Sequence, residues 1–207
     1  EYTMSGQPIQ SWFGRRPRQP GARMLAGPLG LAILVLAVFA SRQSFCPALA
    51  TPATADDMLT TNAVKKANAF LETLDAKQRE QVLFPYDSAK KSSWSNLPVT
   101  MVARNGLALG DLTKQQRAAA LDAVAAVLSK EGFQKVIDIM NADDQLVKGK
   151  ENKMRFGTEH FYIALFGKPS PAQPWMLQFG GHHLGVNVTV VGKEAVLRPT
   201  HTGTQPD

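Results

Sequence analysis

Cysteine is nearly absent from this chain of 207 residues: Cys46 is the only one. It falls within the first 50 residues, so the rest can build neither a disulfide framework nor a cysteine-ligated metal site. No Gly-x-Ser-x-Gly elbow, Walker-type phosphate loop, dinucleotide fingerprint or helical His-Glu-x-x-His motif occurs. Aromatic residues make up 8% of the chain, with three tryptophans. No histidine precedes residue 160. An excess of basic charge is also missing from most of the chain. Of its 23 basic and 17 acidic residues, five Arg and one Glu lie in residues 1–50, leaving 18 basic and 16 acidic. The high pI therefore comes mostly from the N-terminal segment, and no nucleic-acid partner is expected. Lys148, Lys150, Lys153 and Arg155 form a local cluster, but Asp143, Asp144 and Glu151 interrupt it.

The N-terminal segment reads as an address. Arg15, Arg16, Arg18 and Arg23 precede an apolar run from Met24 to Ala40, and Ala48-Leu49-Ala50 is a small-x-small cleavage signal. That order is a secretory signal peptide. The expected organisation is a signal peptide over 1–50, a Pro/Thr/Ala linker over 51–59 and a single domain over 60–207. The mature protein would be exported to a periplasmic or extracellular location, with no stable membrane span after cleavage. An uncleaved anchor is the competing reading, because about 17 apolar residues approach the lower limit for a span. Gln43-Ser44-Phe45-Cys46 lacks the small residue that a lipoprotein signal carries before its cysteine.

Beyond the linker the pattern is first helical. Ala63, Ala67, Phe70, Leu71 and Leu74 recur at three- and four-residue steps. Asp75-x-x-Gln78 and Thr113-x-x-Gln116 are capping boxes, each predicting a helix start. Ala119, Ala120, Ala123, Val124, Val127 and Leu128 extend the second helix to Ser129, with Gly132 after its stop. Phe133, Val136, Ile137, Ile139 and Met140 predict a further helix. Leu74-Asp75-x-x-Gln78-Arg79 echoes Leu112-Thr113-x-x-Gln116-Arg117, as two capped starts would. After Gly157 the period becomes extended. Strands are predicted over 161–166, 175–179, 183–191 and 195–198, with turns at Gly167–Pro171 and Val191–Glu194. Short connections imply antiparallel neighbours. The expected fold class is α+β, with N-terminal helices packed on a C-terminal antiparallel sheet.

The candidate chemistry sits in the strand region, which holds His160, His182, His183 and His201. If residues 182–191 alternate as one strand, His182 aligns with Leu184, Val186, Val188 and Val190, and His183 with Asn187 and Thr189. His182 then faces the core and His183 a polar surface. Imidazoles with a carboxylate such as Glu159, beside His160, are raw material for a zinc or iron site. Hydrogen-bonding interior histidines and metal-free acid/base catalysis by His182, His183 and Glu159 are the other two readings. Gly180-Gly181 marks either a close approach by a ligand or tight packing. Trp94 and Trp175, with Asn96, Arg104 and Gln178, have the composition of a small-molecule, glycan or peptide cleft, with Asn187 on the same polar side. The alternative for both tryptophans is a core anchor. The leading functional expectation is a hydrolase-like envelope enzyme with a histidine-centred site. A non-catalytic carbohydrate- or peptide-binding domain, or a purely structural envelope protein, are the others.

Several segments taken in order carry a family resemblance. They are Phe70-Leu71-x-x-Leu74-x-x-x-Gln78-Arg79, Trp94-Ser95-Asn96-Leu97-Pro98, Asp111-Leu112-Thr113-x-x-Gln116-Arg117, Phe166-Gly167-x-Pro169-Ser170 and Gly181-His182-His183-Leu184. Over residues 60–207 the chain resembles the bacterial family called domain of unknown function 3500. The resemblance brings no catalytic role with it. It implies members longer than this chain, so the domain is expected to be incomplete at its C-terminal end.

Overall fold

The computed structural model describes residues 55–147 and 153–204. The proposed signal peptide and residues 51–54 of the linker lie outside the described residues, and the remainder of the linker already belongs to the first helix. Four helices lie before the main strands: α1 (Ala55–Glu72), α2 (Ala76–Val82), α3 (Lys114–Ala125) and α4 (Lys130–Gln145). The strands are β1 (Leu83–Phe84), β2 (Leu107–Ala108), β3 (Tyr162–Phe166), β4 (Trp175–Gly181), β5 (Leu184–Val191) and β6 (Glu194–Thr202). They form one sheet in the order β1-β3-β4-β5-β6, with β2 also pairing β3. The α+β class stands, but the sheet is mixed, since β1 runs parallel to β3 and the other pairs are antiparallel. The short connections that implied antiparallel pairing join only β3 to β6. β1 reaches β3 from far earlier in the chain, where no turn dictates direction.

Both capping boxes form, with Asp75 and Thr113 accepting from the backbone of Gln78 and Gln116. The echo between them is structural. The amide of Gln116 donates to Gln78 Oε1 at 2.8 Å, so the two helix starts face each other. Arg79 and Arg117 each reach back eight residues, to the carbonyls of Leu71 and Leu109. The break between α3 and α4 differs from expectation. Gly132 lies in the first turn of α4, and its N–H is capped by Ser129 Oγ at 3.0 Å. Ser129, a good N-cap residue, starts the new helix before the glycine can end the old one.

Strand alternation sorts side chains onto two faces. Ile163, Leu165, Trp175, Leu177, Phe179, Leu184, Val186, Val188 and Val190 pack with Phe70, Val124, Val136 and other helix residues in the main core. The opposite face carries a smaller cluster, Ala164, Phe166 and Met176, with Phe84 against it. Beside this cluster the connection between β1 and β2, residues 85–106, is tied onto the sheet. Asn105 donates to Gln178 Oε1 at 2.9 Å, and Gln178 donates to the Lys91 carbonyl at 3.1 Å. The Trp94 ring lies on Gly185, where an added Cβ would come within 2.6 Å of it. Glycine here is what lets the indole reach the strand.

Candidate functional site

His182 and His183 are not in a strand. They form the two-residue turn between β4 and β5, with Gly181 paired to Leu184. The strand begins at Leu184, one residue later than the pattern predicts, and Gly180 and Gly181 both belong to β4. A Cβ on Gly181 would lie 2.8 Å from the Phe161 ring, so packing accounts for that glycine. His183 has φ 61°. A two-residue hairpin needs left-handed backbone, which histidine adopts more readily than most residues. Its N–H donates to the Asn96 carbonyl at 2.7 Å, and its carbonyl accepts from Gly203 N–H at 2.9 Å. The loop and the end of β6 thus clamp the turn.

The turn places two imidazoles together. The His182 and His183 ring centroids are 3.9 Å apart at an interplanar angle of 39°. His182 is buried and His183 half-buried, the order that alternation implied. The cause is different: His182 turns under the end of α4. Its Nδ1 lies 2.6 Å from Asp143 Oδ1. The other carboxylate oxygen accepts from Gly157 N–H at 2.7 Å. Asp144 fixes the same segment, accepting from Thr158 N–H and Oγ1, both at 2.6 Å. The Phe156 ring covers His182 at 4.8 Å between centroids. Burial pushes the His182 pKa below the ordinary histidine value, and the hydrogen bond and charge of Asp143 only partly oppose this.

Asp143 was not singled out from the sequence, although a signal was there. Val136, Ile139, Met140 and Asp143 share one buried face of α4 at helical spacing. A carboxylate on an apolar stripe needs a partner, and the partner is 39 residues away. Glu159, the expected carboxylate, is exposed in a 3-10 turn over Thr158–His160 and packs against Gly110. His160 is also apart from the pair, bonded through Nε2 to the Lys153 carbonyl at 2.8 Å. His201 does join the turn. Its Nε2 is 3.2 Å from the Asn96 amide nitrogen, and a Cβ on Gly203 would lie 3.4 Å from that Nε2 and 3.7 Å from His183 Nδ1. Three histidines, Asn96 and Asp143 therefore gather at one hairpin tip. Among the described residues, no three His, Cys, Asp or Glu side chains are placed to hold a metal ion, so the donor set does not fit zinc or iron. Beside Gly203 opens a recess of about 340 Å³, lined by Lys135, Asp138, Ile139, Thr202 and Thr204.

The residues proposed for a cleft divide. Trp94, Arg104 and Gln178 converge around a cavity of about 10 Å³. That is room for one water and not for a sugar ring. Asn187 is fully buried, accepting from Gln178 at 2.8 Å and donating to the Pro199 carbonyl at 2.8 Å. Trp175 is on the opposite face, fully buried in the main core. Sequence alone could not separate these, because adjacent cores on two sheet faces use the same residue types.

Fold and site together define an α+β domain with a buried His–Asp pair at a clamped hairpin tip. The chain belongs to the family described as protein of unknown function (DUF3500), which matches residues 56–207. No curated protein and no solved structure matches it.

Proposed function

We propose that the protein is an exported, hydrolase-like enzyme in which His182 and Asp143 form a general-base pair. The observation that carries this reading is the 2.6 Å contact between His182 Nδ1 and a buried Asp143 carboxylate. A carboxylate accepting Nδ1–H fixes the tautomer, which leaves the basic lone pair on Nε2. The lowered pKa keeps the ring neutral near pH 7, the form that accepts a proton from water. The reaction class is attack of that water on an electrophilic carbon, with the proton passing to Nε2 and then to the leaving group. The recess beside Gly203 is large enough for a small-molecule fragment. The basic segment, apolar run and Ala48-Leu49-Ala50 support export to the periplasm or exterior.

The test uses a panel of activated esters, peptides and glycosides with wild type and His182→Asn. Asparagine keeps an N–H donor near the Nδ1 position and loses the base. At least about 100-fold loss in rate with a retained melting temperature supports the reading. No turnover by wild type, together with saturable glycan or peptide binding, replaces it with the binding-domain alternative. N-terminal sequencing of envelope protein checks export, with Thr51 expected first.

A further inference from the structure

β6 ends the sheet, and among the described residues no strand pairs with its far side. Every residue from Glu194 to Thr200 is exposed, with Val196 50% and Leu197 42% accessible. An edge with unpaired N–H and C=O groups is a template for another strand.

The register restricts what can be added. Gly192 and Lys193 turn the chain between β5 and β6, and Val191 is paired with Glu194. A two-residue turn closes on a hydrogen-bonded pair, and the ladder alternates from there. Glu194 and Val196 therefore spend their backbone groups on β5, whereas Ala195 and Leu197 carry theirs on the free side. Pro199 has no N–H to offer and stops a new ladder at that point. One antiparallel self-pairing uses both free residues. Centred on Val196, it sets Ala195 against the partner's Leu197 and Leu197 against the partner's Ala195. Centring it on Ala195 would place the turn residue Lys193 opposite Leu197, and centring it on Leu197 would place Pro199 opposite Ala195.

The side chains agree with that register. Glu194 falls opposite the partner's Arg198, and symmetry repeats the charge pair. The exposed Val196 meets its own copy. Ala195 and Leu197 pair with Val190 and Val188 of the main core, so they lie on the helix-covered face. Beside Ala195 on that face opens a recess of about 450 Å³, bordered by Leu59, Val127 and Leu128. Leu59 is itself 42% exposed. The partner's Leu197, set opposite Ala195, is placed to enter this recess and cover Leu59.

We propose that two copies of the chain pair through β6, antiparallel about a two-fold axis at Val196, into one continuous sheet. The contact is self-complementary in backbone, charge and apolar shape. A pairing this short gives a dimer that forms and dissociates with concentration. The proposal does not depend on the hydrolytic reading.

The test is sedimentation of the full chain over a concentration series, with cross-linking in a Cys46→Ser background. At Val196 the two Cα atoms would be about 4.5 Å apart, within disulfide reach. At Glu194 they would be more than about 13 Å apart, out of reach. Val196→Cys is expected to give a disulfide-linked dimer under mild oxidation, and Glu194→Cys none. Glu194→Arg places like charges opposite each other and should raise the dissociation constant about tenfold or more. Adding Arg198→Glu to it should restore association. A monomer at every concentration, equal cross-linking of both cysteine variants, or no rescue by the double reversal overturns the proposal. A monomer whose Ala195 and Leu197 amides resist hydrogen exchange also overturns it, and assigns the edge to a strand of the same chain.

Discussion

The amides over the middle of the sheet and the imidazoles at the β4–β5 tip are both polar groups set into an apolar scaffold. They differ in how far they close on themselves. Asn105, Gln178 and Asn187 run from the Lys90 and Lys91 carbonyls to that of Pro199, and the hydrogens of the first two are used up. Such a network fastens a loop to a sheet and has little left for a ligand. At the tip, Asp143 commits its two oxygens to His182 and Gly157, but the imidazole keeps one nitrogen for other chemistry. A polar patch in a strand pattern is therefore a weak sign of function. What matters is whether its donors and acceptors remain available after folding.

The largest effect expected from breaking this contrast is at Asp143. Asp143→Ala leaves His182 and Gly157 N–H without their buried partner, and should cost about 3 kcal/mol or more by chemical denaturation. It should also abolish any hydrolysis. Asn187→Ala comes next, at about 2 kcal/mol, because it strands one Gln178 hydrogen and the Pro199 carbonyl. The turnover number of the molecules still folded should be unchanged, and a loss matching that of His182→Asn would erase the distinction between the clusters. Gly185→Ala should cost about 1–3 kcal/mol by pushing Trp94 off the strand, with a change in tryptophan fluorescence. The smallest effect is at His183. His183→Gly removes the side chain from a backbone at φ 61° and should stabilise by up to about 1 kcal/mol. Wild-type-like turnover in that variant would place the chemistry on His182 alone.

Stability against pH sharpens the same point. An unfolded histidine takes up its proton near pH 6.5, while buried His182 does so only at lower pH. Below about pH 6.5 the unfolded chain thus binds more protons, and the His182 contribution is lost as pH falls through that window. The melting temperature should drop between pH 7.5 and 5.5, less steeply in His182→Asn.

What could be read from sequence was mostly what is local. The Asp75 and Thr113 caps are complete within four residues, and β3 to β6 announce themselves as short extended runs bounded by turn residues, β5 also by alternation. β1 and β2 are two residues each, too short to show a period. The hairpin turn was hidden because it uses His182-His183 rather than a glycine or asparagine pair. His182 and His183 were legible as candidates. Their partner was not, because the contact spans 39 residues and depends on how α4 meets the sheet. The stripe from Val136 to Asp143 held half of that information, marking the carboxylate as buried without saying by what.

Nitrogen-15 NMR titration of the imidazole decides whether His182 is a neutral base oriented by Asp143. The expected result is a proton on Nδ1, a free lone pair on Nε2 at pH 7, and titration below the ordinary histidine range, with Asp143→Asn disturbing the tautomer. A ring that is already charged at pH 7, or one protonated on Nε2 when neutral, would contradict it.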